Sequence, residues 1–337
     1  MKPLNGVLII PTGLGCALGG DAAYNPGVKL IANCVDNLIV NPNSVNASDI
    51  NELPPNALYV EGSTIDRFLE GEVNLSKVKT FNRILMAVNN PISPASINSM
   101  NAGIWGLGAN VSILTLNTPV TMTATFSTDG TASGVYTGID ELVKQVEPLD
   151  FDALALQTPI DCDPIAAQNY FEHGGINPWG GIEALVSKAI STRVNKPVAH
   201  APSESIEEGG TYAKIIVKQS MAPEIISNTY TFCILKGLHR SPRLEFDLSK
   251  SHANILNQKD IDFLLTPHGC WGRPHYACVE LGIPIIIVRE NTTCFSNGFE
   301  YPSYSNTIFV NNYLEAAGVI SAMGCGVDYR TILLQKQ

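Results

Sequence analysis

Two imidazoles, a thiol and a guanidinium crowd into the eight residues His268-Gly269-Cys270-Trp271-Gly272-Arg273-Pro274-His275. An apolar run ending in Thr266-Pro267 precedes them, and a helix-like segment follows. A thiol at a helix start meets unpaired N–H groups, and a nearby Arg or His⁺ lowers its pKa further from about 8.5. Cys270 is therefore expected as a thiol base, with His268 as a proton-transfer partner. Arg273 is expected to clamp a carboxylate or phosphate bidentately, with Thr266 and His275 as further substrate contacts. The plain alternative is a structural loop in which Trp271 plugs the core. His268 and Cys270 alternate without a clear third ligand, so no metal site is expected.

The second constellation runs from Thr12 to Asp21 and contains Gly13, Gly15, Gly19 and Gly20. The spacing differs from the Gly-x-Gly-x-x-Gly of dinucleotide sites, and Asn41 stands where an acidic ribose ligand belongs. No cofactor is favoured. Thr12, Gly13 and Gly15 are expected to offer backbone N–H groups to an anion, and Cys16 or His200 to oppose Cys270 across the substrate. Asn41, Asn43, Glu61, Asn89, Thr118 and Thr158 close other apolar runs. Asn donates and accepts, so as a group these residues read as contacts for a small polar ligand. Singly, each Asn reads as a turn or helix cap. Glu290 is a further candidate base beside Asn291. Lys236–Arg243 is a basic cluster, expected as an exposed helix end, and Ser203–Glu208 an acidic helix entry.

These residues need a frame to hold them at one place. Short apolar runs supply it: 6–10, 37–40, 57–60, 84–88, 111–116, 153–156, 197–199, 261–265, 284–288 and 307–310. Each ends in Pro, Gly, Asn, Thr or charged residues. Continuous apolar runs this short suit strands buried on both faces, as in parallel sheets. Amphipathic segments lie between many of them, at 27–35, 63–69, 139–146, 181–194, 275–281 and 313–323. Strand alternating with helix predicts an α/β fold with largely parallel, helix-flanked sheets. Ligands of such sheets bind beyond the carboxyl ends of the strands, where the polar residues above concentrate. Residues 120–138 alternate apolar with Thr and Ser around Asp129-Gly130, predicting a β-hairpin insertion. A domain boundary is expected near 145, giving domains 1–145 and 146–337 with a cleft between them.

The chain has 337 residues and a formal charge of −10, and only 15% of it is charged. No basic face is visible, so nucleic acid is not an expected partner. No run approaches the roughly eighteen apolar residues of a membrane span. Lys2, Val7–Ile10 and Cys16 imitate a lipoprotein leader, but Pro11, Gly13 and Gly15 interrupt it, and a buried strand with a tight turn is the better expectation. The eight cysteines show no Cys-x-x-Cys spacing, so reduced thiols are expected. The protein reads as cytoplasmic, or stromal in a plastid, and a homo-oligomer remains open.

Several strings are unusual: Pro-Thr-Gly-Leu-Gly-Cys-Ala-Leu-Gly-Gly at 11–20, Ile-Val-Asn-Pro-Asn at 39–43, Leu-Tyr-Val-Glu-Gly at 58–62 and Asn-Pro-Trp-Gly-Gly at 177–181. Together with the run from Thr266 to Thr293 they resemble a family of unknown function known mainly from cyanobacteria and plants. That resemblance spans nearly the whole chain and implies no activity. Residues 261–288 also resemble the second half of aspartate/glutamate-type racemases, which implies a catalytic role for Cys270. The first-half Cys-Asn-Thr of that family is absent. The same segment resembles the sugar-nucleotide loop of two-domain glycosyltransferases, with Glu280 as the acidic residue, though the glycines do not fit. The leading expectation is an enzyme of isomerase or racemase kind acting on a small polar or anionic metabolite. A nucleotide- or sugar-phosphate-dependent transferase and a non-catalytic ligand-binding or assembly protein are the rivals.

Overall fold

The computed structural model describes residues 3–18, 25–45, 53–203, 230–304 and 306–332. Gly19–Asp21 of the Gly-rich stretch and the acidic stretch from Glu204 lie outside the described residues. In chain order the strands are β1 (Asn5–Leu8), β2 (Asn37–Val40), β3 (Ala57–Tyr59), β4 (Asn74–Ser76), β5 (Arg83–Val88), β6 (Asn110–Thr115), β7 (Thr121–Phe126) and β8 (Ala132–Thr137). They continue as β9 (Ala153–Thr158), β10 (Val198–Pro202), β11 (Arg243–Glu245), β12 (Ile255–Leu256), β13 (Phe263–His268), β14 (Ile285–Thr292) and β15 (Thr307–Val310). The described helices are α1 (Asn25–Ala32), α2 (Gly62–Leu69), α3 (Pro94–Leu107), α4 (Ile139–Val146), α5 (Pro164–His173), α6 (Gly180–Val194), α7 (Tyr230–Arg240), α8 (Arg273–Leu281) and α9 (Tyr313–Gly324).

All ten short apolar runs become strands of two parallel sheets. One is six-stranded, in the order β15-β14-β13-β1-β2-β3, and the other four-stranded, in the order β10-β9-β5-β6. Every neighbouring pair in both is parallel. The apolar continuity has a direct cause. Leu8, Leu38, Val40, Phe263 and Leu265 enter a core that also takes Ile84, Met86 and Val88 from the other sheet. Their neighbours Val7, Ile39 and Leu264 enter a second core under α2 and α8. Leu85, Ala87, Leu154 and Leu156 enter a third, against α4 and α6. Successive side chains leave a strand on opposite faces, so a strand between two cores has no solvent side to make polar.

The first core is shared. Ile234, Leu235 and Leu238 of α7 sit in it among residues of both sheets. The two sheets also interleave along the chain, because β1–β3 pair with β13–β15, and β5–β6 with β9–β10. Hydrogen-bonded layers therefore do not follow the division expected at residue 145, which falls between the strands of the four-stranded sheet. Local apolar pattern finds strands; pairing across two hundred residues is a tertiary choice.

The hairpin is present as β7–β8, closed by a Ser127–Thr131 turn in which Gly130 has φ +88°. It lies on α6, where Gly181 brings its backbone so near Ala132 that a Cβ would stand 2.2 Å from the Ala132 carbonyl. On its other side the Ala132 N–H donates to the Gly13 carbonyl at 3.1 Å. The hairpin thus straps the Gly-rich loop of one sheet to the helix of the other. Three helices, α3, α5 and α7, fall outside the amphipathic segments of the sequence. Of these, α3 is announced only by its caps: Ser93 accepts from the Ser96 N–H, Pro94 follows, and Gly108 ends the helix with φ +67°. Among the described residues no helix is long and apolar enough to cross a membrane.

Candidate functional site

In each parallel sheet the chain order reverses once, between β1 and β13 in the larger and between β5 and β9 in the smaller. Crevices open at such reversals because the connections leave to opposite faces. Here a cavity of about 810 Å³ is lined by strand exits of both sheets. Thr12, Asn41 and Thr266 come from the larger sheet, and Asp161 and His200 from the smaller. Ala132 and Ser133 of the hairpin and Gly180, Gly181, Glu183 and Lys188 of α6 also line it. That volume lies in the upper part of the range for small-molecule sites, about 300–1,000 Å³.

Glu61 closes β3 and caps α2. Its carboxylate accepts from the Ser63 N–H at 2.8 Å, the Thr64 N–H at 2.9 Å and the Ser63 hydroxyl at 2.6 Å, and from Ser191 of α6 at 3.2 Å. Its oxygens are occupied by the fold, although it lines the cavity. One turn further along, Asp66 faces the same space. Burial pushes its carboxyl up to about 6, Glu70 and Glu61 add to the rise, and Arg273 and Lys188 oppose it. Asp66 is thus held largely protonated in the mildly acidic range.

Across the cavity, His200 on β10 is linked at both ring nitrogens. Nδ1 lies 3.2 Å from Glu183 Oε1 on α6, and Nε2 lies 3.1 Å from the Thr158 hydroxyl on β9. A carboxylate only accepts, so Nδ1 carries a proton. The Thr158 hydroxyl also reaches Met122 Sδ at 3.3 Å. The hydroxyl thus stands between the imidazole and the thioether, within hydrogen-bond reach of both. Both residues line the cavity, but the His200 side chain is only 1% exposed and that of Glu183 28%, so Glu183 is the more accessible of the two.

The thiol does not meet its expected environment. Cys270 lines the cavity but is buried, its Sγ lies 3.3 Å from the Pro267 carbonyl, and burial pushes it up to about 12 despite the Thr266 hydroxyl. The helix start is capped instead by His275, whose Nδ1 accepts the Gly272 N–H at 3.1 Å while Nε2 faces Thr266 Oγ1 at 3.1 Å. Burial pushes this ring down to about 4, which keeps it neutral, and it stacks on Trp271. Arg273 is engaged too: Nε bonds Glu70 Oε1 at 2.9 Å, Nη2 bonds the other Glu70 oxygen, and Nη1 lies 3.7 Å from Asp66. Its fork is filled by this chain's own carboxylates and does not line the cavity. His268 does not line this cavity; it stands where the β13–β14 ladder shifts register, just after Pro267.

The asparagines divide. Asn41 lines the cavity, but its amide accepts the Ile10 N–H at 3.0 Å and donates to the Ile10 carbonyl at 2.8 Å. Asn89 makes the same pair of bonds with Val120, and Asn291 with Leu18. One side-chain amide replaces the ladder partner of one residue at a strand exit. Asn89 and Asn291 are outside the cavity. Asn43 lines it and donates to the Ile10 and Pro11 carbonyls. Thr12 also lines it. Gly13 and Gly15 lie beside it with φ +78° and +64°, and a Cβ on Gly15 would stand 2.7 Å from Cys294 Sγ. Cys16 packs against the shared core, while Glu290 and Thr118 are exposed away from the cavity. Thr158 acts through His200. Among the described residues no group of three His, Cys, Asp or Glu side chains is placed to hold a metal ion.

A family model described as a protein of unknown function (DUF3326) matches residues 5–333. The chain belongs to this family. A relative called an uncharacterized lipoprotein, from Synechococcus sp., is 30% identical over 345 residues, covering 97% of this chain and 92% of its own length. No solved structure matches the chain. The expected family membership is thereby shown, while the racemase-like segment draws no support from the comparisons. In this DUF3326 chain the charged cavity-lining side chains that sequence reasoning missed are Asp66, Asp161, Glu183 and Lys188. Asp66 lies one helical turn beyond Gly62, and residues 180, 184, 187 and 188 form a stripe at helical spacing. That stripe of small and charged residues behind Asn177-Pro178-Trp179 was the available signal.

Proposed function

We propose that this protein is an enzyme of proton-transfer type, an isomerase in the broad sense, acting on a polar metabolite in the cavity between the two sheets. The observation that carries it is that one cavity is lined by Asp66 and by the bonded pair His200 and Glu183, with Thr158 bonded to the imidazole behind them. Two carboxyl groups in different surroundings are a recurrent means of separating acid from base. Glu183, backed by His200, acts as the base that meets substrate, and Asp66 as the acid. Cys270 is a wall of the site. Among the described residues, the lining bears the carboxyl groups Glu61, Asp66, Asp161 and Glu183 against the single lysine Lys188, and no arginine. This supports a substrate rich in hydroxyl or amino groups over a phosphate or polycarboxylate.

The reading of the compartment rests on β1. The relative's name raises the question of a lipid on Cys16, and cleavage before that residue would remove β1. That strand lies between β13 and β2 in the middle of the six-stranded sheet, with Val7 and Leu8 buried. We read residues 5–15 as part of the folded protein, in keeping with a cytoplasmic enzyme. Expression from residue 16 should yield no folded chain, and a stable product would refute this.

The test of function is a thermal-shift panel on the full chain with polyols, sugars, amino and hydroxy acids and nucleotides. Hits are then followed by NMR for exchange of substrate C–H into D₂O. Glu183→Gln and Asp66→Asn are expected to keep ligand binding and lose exchange. A ligand that binds without exchange in the unaltered protein would favour a non-catalytic binding role for the same cavity. A hit confined to nucleotides would favour the transferase reading.

A further inference from the structure

We propose that a second cavity, separate from the first, binds a phosphate-sized oxyanion between Arg289 and His268. It has about 480 Å³, opens at the carboxyl ends of β13 and β14, and is lined by His268, Arg289, Thr292, Thr293, Cys294, Ser296 and Asn297. None of these residues lines the larger cavity. The β13–β14 ladder is irregular here, passing from Pro267–Val288 to His268–Thr292, and Thr266 lines the first cavity while His268 lines the second.

Two features point to an anion. The lining contains a guanidinium and an imidazole but no carboxylate among the described residues, in a chain whose net charge is −10. Arg289 lies over the Phe309 ring, with its guanidinium carbon 4.7 Å from the centroid, and makes no ion pair among the described residues. Other arginines here, such as Arg83, Arg193, Arg273 and Arg330, are paired with carboxylates. His268 borders the space as well, although its Nδ1 is itself shut off from solvent and without a hydrogen-bond partner among the described residues. Burial and then the Arg289 charge hold the ring's pKa below the usual histidine value, and an anion between the two groups reverses the second effect.

The rest of the lining is already shaped. The Thr293 hydroxyl donates to the Gly269 carbonyl at 2.9 Å, and the Ser296 hydroxyl to the His268 carbonyl at 2.8 Å. These bonds fix the turn and leave Arg289, His268, Thr292 and Asn297 as the other polar side chains of the lining. Donors spread over two strands and a loop suit a tetrahedral oxyanion, approached from several sides, better than a planar carboxylate. A free phosphate and a phosphorylated metabolite present the same group.

Isothermal titration of the full chain with inorganic phosphate, sulfate and acetate tests this directly. Phosphate and sulfate are expected to bind saturably and acetate more weakly. Arg289→Gln should weaken phosphate at least about tenfold, as loss of a charged hydrogen bond does. Arg289→Lys, which keeps the charge, should retain most of the affinity and so separates lost charge from disturbed packing on Phe309. Asp66→Asn, in the other cavity, should leave phosphate binding unchanged, so failure here and failure of the proton-transfer reading are distinguishable. A phosphorylated sugar binding more tightly than inorganic phosphate would identify a metabolite as the source of the group, and equal affinities would identify free phosphate. Absence of saturable phosphate and sulfate binding, or binding indifferent to Arg289→Gln, would overturn the proposal.

Discussion

Asp66 carries a cost that can be measured without knowing the substrate. Its carboxyl is raised from 3.8 to about 6, first by burial. The folded protein therefore holds a proton that the unfolded chain releases, and its stability falls as pH rises from about 4 to about 6. Ionising the group in place would cost about 3 kcal/mol from the shift alone. Its side chain is still 21% exposed, and solvent screening brings the expected figure nearer to about 2 kcal/mol. Asn has the shape of the neutral acid, and in Asp66→Asn the Arg273 guanidinium keeps Glu70 as its partner. The variant should thus be more stable than the parent by about 1–2 kcal/mol above about pH 7 and no more stable below about pH 4. Denaturant unfolding of both proteins across that range gives the difference directly, and other titrating groups cancel in it. A difference independent of pH, or a variant less stable at neutral pH, would refute the idea that burial strains this carboxylate. A gain in stability with a loss of proton transfer is the exchange expected where a site is kept costly for function.

Two further outcomes follow from the same geometry. Asn41→Ala strands the N–H and carbonyl of Ile10 and should cost about 2–4 kcal/mol, whereas Asn43→Ala, whose amide only adds longer bonds to carbonyls, should cost under about 1 kcal/mol by the same denaturation. Alkylation at neutral pH should label exposed Cys294 and Cys325 and spare Cys270 and Cys278, both buried and pushed up to about 12; mass spectrometry showing Cys270 labelled at the rate of Cys325 would restore it as a nucleophile.

Strands, the hairpin and most helices were legible because their causes are local. A strand between two helix layers must be apolar at every position, and burial on both faces excludes the apolar–polar alternation of a half-exposed strand, as in Ile285–Val288. Asp129-Gly130 marks a turn by its own backbone preferences. The carboxyl-edge location of the cavity was legible too, since the apolar runs end in polar residues. Thr12, Asn41, Asn43, Glu61, His200, Thr266, Cys270 and His275 do meet around one cavity.

What each of them does there was decided by tertiary structure. Cys270 and Arg273 read from sequence as an active thiol and an open clamp. The fold buries the one and fills the other with Glu70, a partner 203 residues away. His268 and Thr266 are two residues apart, yet they line different cavities. Sequence pattern reports the average environment of a segment, which propensity and periodicity follow. Protonation, pairing and the direction of one side chain depend on which distant atoms arrive within a few ångströms, and only the assembled sheets bring Asp66, Glu183 and His200 to the same space.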